Sequence, residues 1–72
     1  MNTDQLSFAV FCIENIADYL GTSGDTIYKM LTEDSDILDS YIIASSDVLH
    51  TQGKEYIVND IVEYMRERGL VE

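Results

Sequence analysis

The stretch Gly53–Gly69, GKEYIVNDIVEYMRERG, decides the fold. Tyr56, Ile57, Ile61, Tyr64 and Met65 recur at helical steps, and Val58 and Val62 widen the stripe. That spacing is the period of a helix with one apolar face. Glu55, Asn59, Asp60, Glu63, Arg66 and Glu67 fall mostly on the other side. Arg66 and Arg68 sit in the last turn, where the helix dipole favours cations, and Gly69 offers a left-handed stop. Start, period and stop agree on a helix that follows Gly53 and runs to about Arg68.

The opposite end of the chain reads the same way. From about Asp4 to Leu20, Phe8, Phe11, Cys12, Ile16, Tyr19 and Leu20 form an apolar stripe, with Glu14, Asn15 and Asp18 opposite. Asn2 or Thr3 is placed to cap its first turn, and Gly21 to end it. A short second helix is predicted from about Gly24 to Thr32, with Ser23 as N-cap, Asp25 in the first turn, and Ile27, Met30 and Leu31 inward. Asp25 and Lys29 are spaced to pair on its surface. A third helix begins after the acidic run Glu33–Asp36, capped by Ser35 or Asp34. Ile37, Leu38, Tyr41 and Ile42 carry it to about Ala44. Ser45, Ser46 and Asp47 interrupt it, and Asp47 is placed to cap one more turn through Val48, Leu49 and His50. Tyr41–Ala44, apolar and β-branched, also reads as a strand. The expected architecture is an all-α single domain: a small bundle of four helices, the third short or broken, with a helix-turn-helix-like pair in its N-terminal half.

Composition bounds what such a domain does. A chain of 72 residues buries only about 60% of the surface its unfolded form exposes, so its core is marginal. Scaffolds of this size commonly need a disulfide, a metal or a partner surface. Cys12 is the only cysteine and His50 the only histidine, so no internal disulfide and no ligand cluster is expected. No cofactor is expected either. What remains is self-association, a homodimer being one option, or a protein partner. Fourteen Asp and Glu against four Lys and Arg give a net charge of -10. Nucleic-acid binding relies on cations that neutralise phosphates, and Lys29, Lys54, Arg66 and Arg68 are scattered. An anionic membrane surface would be repelled as well. An acidic surface suits a basic protein partner and speeds their encounter, although the same charge also serves solubility alone. Met1–Gln5 has no positive charge, and the apolar run Phe8–Ile13 is too short for a signal core or membrane span. A lone cysteine fits a reducing cytosol, so a cytoplasmic location is expected.

Catalysis finds little support. Cys12 lies inside an apolar stripe, where a cysteine behaves as a small inert hydrophobe. Ser45, Ser46, Asp47, His50 and Thr51 are crowded into one connection without a sign of an oxyanion hole. The run Glu33, Asp34, Asp36, Asp39 lacks the glycine and ligand spacing of a calcium loop. No enzyme is expected. From Ala17 to Met30 the chain is similar to a helix-turn-helix, with a small residue at the crossing, Gly21 in the turn, and Ile27 and Met30 as anchors. The second helix, however, would offer a groove only Ser23, Gly24, Asp25, Tyr28 and Lys29, with no Arg, Asn or Gln to read a base edge. DNA binding is the alternative reading and protein binding the leading one.

The stretch Asp47–Val58, DVLHTQGKEYIV, mixes charged, polar and aromatic residues without simple periodicity. Read structurally, His50 or Thr51 bonds a free backbone group and Gly53 permits a tight approach to the last helix. Read functionally, Asp47, His50, Thr51, Lys54 and Tyr56 form a binding edge. This stretch and FCIE at Phe11–Glu14 carry a resemblance through Phe11, Cys12, Glu14, Asp47, Leu49, His50, Thr51, Gly53, Lys54, Glu55 and Tyr56. On them the chain resembles a family of short bacterial proteins classed as a domain of unknown function. Members of that family are often encoded beside predicted toxins of ADP-ribosyltransferase type. The resemblance implies, by association, an antitoxin-like or accessory partner role; it supplies no catalytic residue.

Overall fold

The computed structural model describes residues 2–71 and is all-α, with no strand among them. The chain runs through α1 (Thr3–Leu20), α2 (Gly24–Thr32), a π-helical segment (Leu38–Ile43), α3 (Ser46–Leu49) and α4 (Lys54–Glu67).

The ends of the long helices are fixed as their end residues dictate. Asn2 caps α1 in a reciprocal box: its Oδ1 accepts from the Gln5 N–H at 2.8 Å, and Gln5 Oε1 accepts from the Asn2 N–H at 3.1 Å. Gly21 closes α1 at φ 70°, with the Thr22 N–H on the Ala17 carbonyl at 2.9 Å and its own N–H on Asp18 at 3.3 Å. Ser23 then caps α2, its Oγ accepting from the Thr26 N–H at 3.2 Å. Gly69 ends α4 by the same left-handed device, the Leu70 N–H reaching the Met65 carbonyl at 2.9 Å.

The third helix is the one the sequence reads as short or broken, and it is broken in a particular way. Ser35 Oγ donates to the Met30 carbonyl at 2.8 Å and accepts from the Ile37 N–H at 3.3 Å, so it joins the end of α2 to the next segment. From Leu38 the backbone widens into a π-helix. Ile37, Leu38 and Ile42 stay buried, while Tyr41 and Ile43 are half-buried. Tyr41–Ile43 is therefore helical and Ala44 begins the turn that follows, so the strand reading is set aside. Asp47 does not cap α3: it lies within the first turn, the cap position is Ser45, and no side chain bonds there. The turn is held at its other end, by His50 Nδ1 on the Ser46 carbonyl at 2.6 Å and Thr51 Oγ1 on the Val48 carbonyl at 2.7 Å.

The core gathers Ala9, Cys12, Ile16 and Ala17 from α1, Ile27 and Leu31 from α2, Ile37, Leu38 and Ile42, and Ile57, Val58, Ile61, Val62 and Met65 from α4. Ala17 is buried in the last turn of α1, and its carbonyl accepts the Thr22 N–H that closes the helix. Among the described residues no polar or charged side chain is buried. Some expected inward residues turn out: Phe11 is 38% exposed, and Tyr19 and Tyr56 are both 56% exposed. On α1 the core line runs through Ala9, Cys12, Ile16 and Leu20, which leaves Phe11 and Tyr19 on its flank. Among the described residues Asp25 and Lys29 form no ion pair; α4 does carry one, Arg66 to Glu63 at 2.6 Å.

Candidate interaction surface

Helix α1 has more apolar surface than the core covers. Phe8, Phe11, Asn15 and Tyr19 step along one flank at three- and four-residue intervals, so they lie above one another on the helix. Phe8 and Phe11 stack with ring centroids 6.3 Å apart and planes inclined by 18°. Two clefts open along this flank. One, of about 440 Å³, lies between the start of α1 (Asn2, Asp4, Gln5, Ser7, Phe8) and α3 (Ser46, Asp47) with His50. The other, of about 450 Å³, lies between Asn15, Asp18 and Tyr19 of α1 and Lys54, Glu55, Val58 and Asn59 of α4.

The fold therefore distributes the five residues of the expected binding edge. Asp47 and His50 border the first cleft and Lys54 the second, so these three face the same flank of α1 from its two ends. Thr51 lies in the connection between them, its hydroxyl committed to the Val48 carbonyl. His50 Nδ1 lies 2.6 Å from the Ser46 carbonyl, so this ring nitrogen meets a backbone group rather than a serine hydroxyl. One edge of the His50 ring thus holds the turn of α3, while the residue as a whole is exposed. Tyr56 does not join the group. It belongs to the other flank of α4, close enough to Tyr41 to bear on its ionisation.

That other flank holds a polar cluster which the sequence did not reveal. Tyr56, Asp60, Tyr64 and Arg68 recur every four residues along and just beyond α4. Tyr41, from the π-helical segment, donates its phenol proton to Asp60 and packs on Tyr64 with centroids 4.4 Å apart. Arg68 lies over the Tyr64 ring at 5.7 Å and reaches Asp36 at 3.7 Å. The hydrogen bond to Asp60, then burial, pushes the Tyr41 phenol up to about 12. These contacts clamp the irregular third segment onto α4. The periodicity of Tyr56, Asp60, Tyr64 and Arg68 was visible in the sequence, but its opposing partner was not.

The second flank of α1 was also missed. Leu6, Val10 and Ile13 form a row there, and Val10 and Ile13 line a shallow depression of about 360 Å³ with Glu14, Ser23, Gly24, Asp25 and Tyr28. The i, i+4, i+7 spacing of Leu6, Val10 and Ile13 was the available sequence signal.

As for chemistry, burial pushes the Cys12 thiol up to about 12, and its side chain is fully enclosed. Among the described residues no three His, Cys, Asp or Glu side chains gather as metal ligands, and no helix is long and apolar enough to cross a membrane. A family model described as a protein of unknown function (DUF3791) matches residues 7–68. No curated protein and no solved structure matches the chain.

Proposed function

The chain belongs to the DUF3791 family, proteins of unknown function, and on that premise we propose that it is a non-enzymatic, acidic protein-binding module. One observation carries the reading: large apolar side chains stand exposed on both flanks of α1, on a chain of net charge -10 whose core is wholly apolar. Aromatic residues set in a polar rim are the composition of a docking surface. The docking surface is the flank with Phe11 and Tyr19, bordered by Asp47 and His50 at one end and Lys54 and Glu55 at the other. Its partner is a basic protein, drawn in by charge and held by the aromatic side chains. The resemblance to proteins encoded beside predicted toxins supports an antitoxin-like or accessory role toward a neighbouring gene product.

Co-expression with the product of the adjacent gene, followed by affinity capture, tests this reading. A stable complex is expected, lost on Tyr19→Lys or Phe11→Glu, together with a change in that product's toxicity. Absence of a complex, with toxicity unaltered, overturns it.

The α1–turn–α2 arrangement, with Ala17 buried in the last turn of α1 and Gly21 left-handed, keeps a DNA-binding reading in view. Against it, the exposed part of α2 carries Asp25, Tyr28 and Lys29 and continues into Glu33 and Asp34. A gel shift with upstream DNA at low salt, where phosphate contacts are strongest, decides between the two.

A further inference from the structure

We propose that the second flank of α1 is a groove for an amphipathic helix of a basic partner. The proposal rests on the reading of the chain as a protein-binding module and assigns a partner chemistry to a different face. Leu6 is 55%, Val10 45% and Tyr28 52% exposed. Val10 and Tyr28 line the same depression, and Leu6, four residues before Val10, continues the row along α1 toward its start. Ile13 and Gly24 form its half-buried floor, 3.7 Å separating Ile13 Cγ2 from the position a Cβ on Gly24 would take. The strip lies between α1 and α2, an arrangement that receives the apolar face of a third helix through anchors at i, i+3, i+4 and i+7. Its rim is anionic: Glu14 on the α1 side and Asp25 on the α2 side line the same depression. An entering helix with Lys or Arg beside its apolar stripe pairs with both. A second copy of this chain brings a net charge of -10 toward the same rim and is disfavoured by repulsion, so charge selects a cationic occupant.

The probe is a synthetic leucine–lysine helix of about 18 residues with leucine at i, i+3, i+4 and i+7, beside a scrambled peptide of the same composition. It is titrated into the ¹⁵N-labelled protein at an ionic strength of about 0.15 M, which screens diffuse attraction beyond about 8 Å. Amide shifts are expected at Leu6, Val10, Ile13, Gly24 and Tyr28, with the scrambled peptide much weaker. Val10→Lys is expected to weaken binding by at least about tenfold, the loss of one buried anchor. Tyr19→Lys, which changes net charge by the same amount on the opposite flank, is expected to leave affinity within about twofold. If Val10→Lys does not fold by circular dichroism, Tyr28→Lys makes the same comparison. Equal losses at Val10 and Tyr19, equal binding of the scrambled peptide, or shifts centred on Asp47–Lys54 would overturn the groove. So would shifts that appear without peptide as protein concentration rises, which would identify a second copy as the occupant. The pull-down above is read through Phe11 and Tyr19 and this titration through Val10 and Tyr28, so either reading can fail alone.

Discussion

The turn Gly21–Ser23 places α2 against α1 and so brings Tyr28 beside Val10, and two glycine substitutions around it should move stability in opposite directions. Gly21 sits at φ 70°, and a Cβ there would meet nothing within 4 Å. Gly21→Ala therefore carries no steric clash with the rest of the molecule. Its cost is that of forcing an L-residue into the left-handed region, about 1–2 kcal/mol. Gly24 is the first residue of α2, and a Cβ there would find only Ile13 Cγ2 at 3.7 Å, an ordinary contact. Gly24→Ala should therefore stabilise by about 0.4–1 kcal/mol, because alanine has less unfolded-state freedom to lose. For a domain of this size 1 kcal/mol shifts Tm by about 4–8 °C. Thermal melts followed by circular dichroism should thus show Gly21→Ala melting roughly 4–16 °C lower and Gly24→Ala a few degrees higher. Urea titrations should give the same order with unchanged m-values. A Gly21→Ala melt that coincides with wild type would refute the left-handed stop. A lowered Gly24→Ala melt would mean that α1 and α2 approach more closely than 3.7 Å allows.

Other perturbations separate core, thiol and clamp. Ile61 is fully buried on α4, so Ile61→Ala should cost about 2–5 kcal/mol in urea unfolding and leave few molecules folded at 37 °C. Cys12 should resist thiol reagents at pH 8 in the native protein and react fully in denaturant. Its folded pKa, raised from 9.0 to about 12, makes a stabilising contribution complete below pH 9 that fades as pH rises toward 12. Tyr41, raised from 10.0 to about 12, adds a loss between those two pH values. Tyr41→Phe should cost about 0.5–1.5 kcal/mol near neutrality, one hydrogen bond, and flatten the stability–pH curve above pH 10. An alkaline unfolding curve parallel to wild type would argue against the Tyr41–Asp60 contact.

The helices at both ends were legible because caps, period and terminators agree locally. Asn2, Gly21, Ser23 and Gly69 act through backbone groups a few residues away. The third segment was less legible because its geometry is set from outside. Nothing within Leu38–Ile43 dictates a π-helix; the segment is held where buried Ile37 and Ile42 meet the core and Tyr41 meets Asp60 and Tyr64 of α4. The wrong assignment of Phe11 and Tyr19 has a related origin. Helix α1 is apolar over most of its circumference, so periodicity alone could not choose which arc faces the core. Ala9 and Ala17 settle that choice by being small enough for close packing. Of the candidate surface, the Asp47–Lys54 stretch stands out in the sequence because its composition departs from simple periodicity. The Leu6–Val10–Tyr28 strip was not, because Tyr28 joins it only once α2 folds back on α1.

Charge and exposed apolar surface have to be considered together. A strip such as Leu6, Val10 and Tyr28 invites a second copy of the chain, and a net charge of -10 opposes that encounter. The opposing term is screened by salt, and the apolar term is not. Raising ionic strength from about 0.1 M to 1 M shortens the screening length from about 10 Å to 3 Å, which removes most repulsion between the two surfaces. Sedimentation should therefore find a monomer at low salt and a growing dimer at high salt, at one protein concentration. Leu6→Lys should hold the protein monomeric in both, because it deletes the apolar anchor that salt unmasks. A state of association indifferent to salt would break the argument at its first step. It would mean that the acidic surface is not what keeps the α1 strip free for a partner.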